Sequence, residues 1–132
     1  MPDPRKPRVL IADDEAHIRL LIKTVFKTMQ AEIAAEAKNG QEAVDLYRKE
    51  KPDLLMLDIN MPLKTGAEVL AEIRGEFPTA FVTMLTSVAD MATVRQCLEA
   101  GASGYILKDT PLPEMKQLIK EAWEENRKAQ RG

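Results

Sequence analysis

The chain has 132 residues, enough for about one domain built around a single hydrophobic core. Nineteen Lys and Arg against 21 Asp and Glu leave a formal charge of −2, which argues against a generally basic, nucleic-acid-binding protein. The longest apolar runs fall far short of the roughly 20 residues of a membrane span, and Cys97 is the only cysteine, which excludes an internal disulfide. With only four apolar residues, Val9 to Ala12, near the N-terminus, these features predict a cytoplasmic protein.

The first part of the chain alternates apolar runs with amphipathic stretches. Residues 8–13 form an apolar run ended by acids, which is typical of a strand buried on both faces. Apolar residues then recur at helical spacing from Ile18 to Met29, and residues 31–37 are a weaker strand candidate. Asn39, with Glu42 three residues later, indicates the start of a second helix.

The same alternation continues to the end of the chain. Three more strands are predicted at residues 53–58, 79–86 and 104–107, the first of them central in the sheet. Three more helices are predicted to begin at a capping box of Thr65 and Glu68, at a cap on Asp90, and near Pro113. Gly101 lies where a left-handed helix C-cap is expected.

Five strands alternating with five helices predict a three-layer α/β fold, in which helices cover both faces of a parallel sheet. Ligands of such sheets bind outside the carboxyl ends of the strands. Chemically active side chains stand at four of the five predicted strand ends: Asp13 and Asp14, Asp58, Thr86, and Lys108. We therefore expect them to meet in one pocket.

These residue types point to phosphoryl transfer. Clustered carboxylates suit a hard cation such as Mg²⁺, which takes one or two carboxylates and keeps several waters. The Thr86 hydroxyl and the Lys108 ammonium can hold phosphoryl oxygens opposite that cation. Asp58 is then the expected nucleophile, and its product is an acyl phosphate.

In this order and spacing, the motifs VLIADDE, LLMLDINMP (with Gly66 after it), MLTS and EAGASGYILK resemble those of a response-regulator receiver domain, the phospho-acceptor part of two-component signalling. The resemblance covers residues 8 to about 126. It implies a flavodoxin-like sheet with strand order 2-1-3-4-5. The domain organisation expected from it is an N-terminal extension at 1–7, a receiver domain at 8–126 and a polar C-terminal tail at 127–132.

The resemblance also implies a metal site and a phosphoryl donor. Mg²⁺, for which Mn²⁺ could substitute, is expected on Asp14, Asp58 and the backbone carbonyl of Asn60, with Asp13 acting through water. The implied donor is the phosphohistidine of a sensor histidine kinase or of a histidine phosphotransfer protein.

A switch is implied as well. Tyr105 is expected to turn inward as Thr86 reaches for the phosphate, which remodels the face made by the fourth helix, fifth strand and fifth helix. That face would contact a downstream output protein or a missing output domain, or form a phosphorylation-dependent homodimer. Neither membrane contact nor direct nucleic-acid binding by this domain is expected.

Two departures from the family pattern affect the expectations. Asp109 follows Lys108 where the family usually has proline, and because a cis bond there would cost about 3 kcal/mol, a trans peptide is predicted. Val88, two residues beyond Thr86, cannot hydrogen-bond a hydrolytic water, although Asn60 could. Self-dephosphorylation is therefore predicted to be slow, with a phospho-form lifetime longer than seconds.

Two other functions stay open at this point. A haloacid-dehalogenase-type phosphatase also uses an aspartate nucleophile with Mg²⁺, but Asn60 stands where its second aspartate would act, and no segment is long enough for a substrate-covering cap. A receiver-like module that binds partners without phosphorylation is the other. Apart from its own phosphorylation and dephosphorylation, no turnover of an external substrate is expected.

Overall fold

Short buried strands and amphipathic helices alternate through the computed structural model, which describes residues 6–131. The strands are β1 (Arg8–Ala12), β2 (Glu32–Ala37), β3 (Leu54–Asp58), β4 (Val82–Thr86) and β5 (Gly104–Leu107). The helices are α1 (Ala16–Thr28), α2 (Gly40–Glu50), α3 (Gly66–Glu76), α4 (Met91–Glu99) and α5 (Leu112–Arg131). Most of the N-terminal extension predicted at 1–7 lies outside the described residues.

All neighbouring strands pair in parallel, in the order β2-β1-β3-β4-β5, which confirms the predicted α/β fold and its 2-1-3-4-5 sheet. β3 and β4 are buried at every position, as the apolar sequence of β3 predicted; β4 also buries Thr83 and Thr86. The register places Asp58 beside Leu85 and Thr86 beside Leu107. The carboxyl ends of β3, β4 and β5 therefore reach the same edge of the sheet.

Side chains alternate between two cores, one on each face of the sheet. The core shared with α2, α3 and α4 takes Leu10, Leu55, Leu57, Val82 and Met84. The core shared with α1 and α5 takes Val9, Ile11, Leu54, Met56 and Leu85. Packing on both faces fixes each strand's register, because a slip of one residue would exchange the two sets.

Two of the three predicted helix N-caps are present. The Asn39 side chain accepts a hydrogen bond from the Glu42 backbone N–H, and Thr65 and Glu68 form a complete capping box. The prediction that the Asp90 side chain caps α4 is wrong: Asp90 precedes the helix, at the end of a 3₁₀ turn, but its side chain makes no cap hydrogen bond.

The structure also shifts two element boundaries. β4 begins at Val82 rather than at residue 79, because the chain turns after α3, where the Ala80 N–H donates to the Phe77 carbonyl at 3.0 Å. Helix α5 continues to Arg131 through most of the sequence predicted as a polar tail, which is rich in good helix formers. Among the helices of residues 6–131, none is both long and apolar enough to cross a membrane.

Candidate functional site

Three charged side chains from three strand ends meet at the carboxyl edge of the sheet. Asp13 follows β1, Asp58 ends β3 and Lys108 follows β5. The Lys108 Nζ lies 3.0 Å from Asp13 Oδ2 and 3.0 Å from Asp58 Oδ1. Both aspartates are buried, at 0% and 2% exposure. The fold thus places one ammonium between two buried carboxylates that are distant in the sequence.

Backbone donors satisfy only part of these carboxylates. The Glu15 N–H donates to Asp13 Oδ1 at 2.8 Å, and the Asn60 N–H donates to Asp58 Oδ1 at 3.3 Å. Asp58 Oδ2 is buried and accepts no hydrogen bond from any of the described residues; Asp13 Oδ2 has only its ion pair with Lys108. Buried acceptors are rarely left in this state, so the site has capacity for a further electropositive group.

A cation would supply that group. Asp13, Asp14 and Asp58 each offer a carboxylate oxygen, and these oxygens all lie within 4.8 Å of one another. Asp14 is exposed and lines a cavity of about 310 Å³ together with Asp58 and Asn60. An oxygen-only donor set with an open side fits a hard divalent ion such as Mg²⁺, which keeps several of its waters.

The carboxylates of this cluster repel one another when no cation is bound. Burial, together with the charge of Asp13, raises the pKa of Asp58 to about 7, although Lys108 and the Asn60 N–H act in the opposite direction. Burial likewise raises the pKa of Asp13. Desolvation lowers the pKa of Lys108, but Asp13 and Asp58 outweigh it and raise that pKa above its ordinary value. At neutral pH the site therefore carries more carboxylate charge than one lysine balances.

This repulsion gives a prediction for the metal-free protein. The pKa of Asp58 rises from 3.8 to about 7 on folding, so the folded state binds more protons between these values and stability falls as pH increases through that window. In the wild type, the free energy of unfolding should fall by up to about 4 kcal/mol between pH 4 and pH 8, and Asp58→Asn should abolish this fall. Urea unfolding in EDTA at several pH values measures this effect. If stability depended on pH equally in wild type and variant, the raised pKa of Asp58 would be contradicted.

Thr86 and Tyr105 occupy different places relative to the pocket. Thr86 is buried at the end of β4, one residue beyond the partner of Asp58, and its hydroxyl donates to the Ser87 carbonyl at 3.1 Å. Tyr105, on the edge strand β5, is 42% exposed. The structure therefore brings Thr86 to the same edge of the sheet as Asp58, although it is not among the residues that line the cavity, and leaves the Tyr105 ring at the surface.

The loop after β3 packs closely on the end of the strand that carries Asp58. The Gly66 N–H donates to the Ile59 carbonyl at 2.7 Å. A Cβ on Gly66 would lie 2.2 Å from the Asp58 carbonyl oxygen, so a larger residue would push this loop off the strand. Glycine here keeps Asn60 beside the carboxylate of Asp58.

The sequence interpretation missed two acids at this site. Glu15 Oε1 lies 3.2 Å from Lys108 Nζ, and Asp90 Oδ2 accepts a hydrogen bond from Asn60 Nδ2 at 2.9 Å. Glu15 directly follows the acid pair, which was a usable signal. Asp90 precedes a helix, which favours the interpretation as a cap.

The Lys108–Asp109 peptide is trans, as predicted, since the described residues contain no cis peptide bond.

Comparison with known proteins gives a consistent result. Residues 9–120 match the family model described as the response regulator receiver domain. The chemotaxis protein CheY of Halobacterium salinarum is 38% identical over 112 residues, which cover 85% of this chain and 92% of that protein.

Solved structures agree with this match. The REC domain of AraT, a response regulator from Geobacillus stearothermophilus, has a TM-score of 0.86 at 26% identity. The superposition covers 96% of this chain and 99% of that domain. A chain of the CheX-CheY-BeF3-Mg²⁺ complex from Borrelia burgdorferi has a TM-score of 0.83 at 28% identity, with 88% of each chain covered.

Proposed function

Since the chain belongs to the response regulator receiver domain family of two-component signalling, we propose that Asp58 accepts a phosphoryl group from a phosphohistidine of a sensor kinase or phosphotransfer protein. The observation that carries the proposal is the state of Asp58. Its carboxylate is 2% exposed, one oxygen accepts no hydrogen bond from the described residues, and Lys108 Nζ lies 3.0 Å from the other.

The transfer is a single displacement at phosphorus. A carboxylate oxygen of Asp58 forms the new P–O bond while the P–N bond of the phosphohistidine breaks, and the imidazole leaves with that electron pair. Lys108 Nζ lies 3.0 Å from Asp58 Oδ1, so its positive charge is close enough to stabilise the phosphoryl oxygens as the acyl phosphate forms. The Thr86 hydroxyl, now donated to the Ser87 carbonyl, is available to a phosphoryl oxygen once it exchanges that partner.

The proposed reaction depends on Mg²⁺. Asp14, Asp58 and the Asn60 carbonyl would hold the ion, with Asp13 acting through water; Mn²⁺ could substitute. When bound, the cation supplies positive charge against the phosphoryl oxygens. Without it, the carboxylates of Asp13, Asp14 and Asp58, whose oxygens lie within 4.8 Å of one another, repel an incoming phosphoryl dianion.

The proposed output is a change in the α4–β5–α5 face. Exposed apolar side chains from all three elements lie there: Leu98 on α4, Tyr105 on β5 and Leu118 on α5. Thr86 is hydrogen-bonded to Lys108 through the backbone, so a movement of Thr86 is transmitted to the end of β5. The proposed partner of this face is an output protein, an output domain or a second phosphorylated copy.

Thr86→Ala should separate phosphorylation from switching. The variant keeps Asp58 and Lys108, so we expect it to gain phosphate, with a rate reduced by about tenfold or less, as for loss of a single neutral hydrogen bond. It should lose the phosphorylation-dependent NMR shifts of Tyr105 and its neighbours on β5, whereas Thr86→Ser, which keeps the hydroxyl, should retain them. Phosphorylation-dependent NMR shifts of wild-type size in the alanine variant would contradict transmission through the Thr86 hydroxyl.

Incubation of the full chain with Mg²⁺ and acetyl phosphate, followed by intact mass and peptide mapping, tests the proposed function. The expected result is one added phosphate, located on the peptide that contains Asp58 and absent when EDTA replaces Mg²⁺. Catalytic turnover of a generic aryl phosphate would instead favour the haloacid-dehalogenase-type phosphatase.

A further inference from the structure

Two loops are joined directly across the mouth of the pocket. The Asn60 side chain, on the loop after β3, donates through Nδ2 to Asp90 Oδ2 at 2.9 Å. Ser87, on the loop after β4, donates its hydroxyl to the same oxygen at 3.1 Å. Asn60, Ser87 and Asp90 all line the cavity that contains Asp58 and Lys108. Asp90 is therefore part of the pocket wall, where it holds one polar side chain from each loop.

We propose that Asp90 is a positioning residue, which fixes the orientation of the Asn60 amide for hydrolysis of the phosphoryl group on Asp58. The inference rests on the proposed function and adds a residue to it. Asp90 acts through Asn60 and is not itself placed on the reacting atoms.

The chemistry of the two side chains determines that orientation. An ionised carboxylate can only accept hydrogen bonds, so the amide must present its NH₂ group to Asp90. The amide is planar, which turns its carbonyl oxygen away from Asp90. The oxygen is then the part of Asn60 available to accept a proton-donating hydrogen bond from a water molecule that attacks phosphorus.

The neighbouring side chains are less suited than Asn60 to hold the attacking water. Val88, two residues beyond Thr86, is apolar and 67% exposed, so its side chain cannot hold a water by hydrogen bonding. The Ser87 hydroxyl is donated to Asp90. Asp90 precedes α4, but its side chain makes no cap hydrogen bond. Its carboxylate instead accepts hydrogen bonds from Asn60 and Ser87, one on each of the two loops.

The test follows loss of phosphate from the purified phosphoprotein. Wild type, Asp90→Ala, Asn60→Ala and the double variant are phosphorylated with acetyl phosphate and Mg²⁺, freed of the donor, and followed by intact mass in Mg²⁺ buffer. We expect Asp90→Ala to lose phosphate about fivefold more slowly than wild type, as expected for loss of one solvent-exposed hydrogen bond. The double variant should match Asn60→Ala, because Asp90 acts through that residue.

Two controls separate positioning from a general effect. Asp45→Ala removes a carboxylate that accepts from the Gln41 amide at 3.0 Å on α2, the same type of bond away from the pocket, and should hydrolyse like wild type. Asp90→Asn keeps the shape of the side chain but replaces one acceptor oxygen with an NH₂ donor, so it no longer dictates which end of the Asn60 amide faces it, and it should hydrolyse more slowly than wild type. An asparagine variant as fast as wild type would overturn the proposal.

Other outcomes would overturn either this inference alone or the proposed function as well. Unchanged or faster hydrolysis in Asp90→Ala, or effects of Asp90 and Asn60 that simply multiply, overturn the inference and leave the proposed function intact. If wild type takes up no phosphate at all, the proposed function fails and the inference fails with it.

Discussion

Asp58→Asn is expected to abolish phosphate uptake from acetyl phosphate in the presence of Mg²⁺, a loss of at least about 10³-fold in rate. The amide nitrogen and oxygen of asparagine have nearly the shape of the carboxylate, but an amide oxygen is a far weaker nucleophile toward phosphorus. The buried position should accept the change, since it removes one charge from beside Asp13. Intact mass after a fixed incubation gives the measurement.

Asp53→Asn is the matched control on the same strand region. Asp53 precedes β3 at the opposite edge of the sheet, where its carboxylate accepts from the Arg8 backbone N–H at 2.8 Å. This variant should gain phosphate at the wild-type rate. Phosphate uptake by Asp58→Asn at a comparable rate, or uptake that maps to another residue in wild type, would contradict the assignment of the acceptor.

Lys108→Ala should give the second large effect, on both rate and stability. Without the ammonium, nothing balances charge on the phosphoryl oxygens from this side, and phosphate uptake should fall by about 10²-fold. The pKa of Asp58 should rise further above 7, because the lysine is one of the groups that now lower it. A larger share of the nucleophile is then protonated at neutral pH.

The stability effect of Lys108→Ala follows from the same contacts. Asp13 and Asp58 would keep their burial, but among the described residues their carboxylates would lose the only cation with which they form an ion pair, which should cost about 3 kcal/mol at pH 8 in EDTA. Lys23→Ala is the comparison, because Lys23 pairs with Glu36 at 2.9 Å on the surface and should cost less than about 1 kcal/mol. Similar urea midpoints for the two variants would contradict this account.

Local sequence patterns determined the elements of this protein. An apolar run predicted the buried strand β3, strand propensity predicted β4, helical periodicity predicted α1, and Thr65 with Glu68 predicted the start of α3. These predictions succeed because each depends on residues only a few positions apart. The start of β4 and the end of α5 were predicted incorrectly, because a turn after α3 delays the strand and the helix propensity of the last residues extends the helix.

The candidate site was predictable as a set of strand-end residues, because a parallel α/β sheet brings the carboxyl ends of its strands to one edge. The sequence by itself thus determined the fold class and the grouping of Asp13, Asp58, Thr86 and Lys108 at that edge. Only the tertiary structure decided which oxygen faces Lys108, and that Asp90 bonds Asn60 instead of capping α4. The physical reason is that a carboxylate binds whichever donor the fold places nearest, and loops from different strands are neighbours in space but not along the chain.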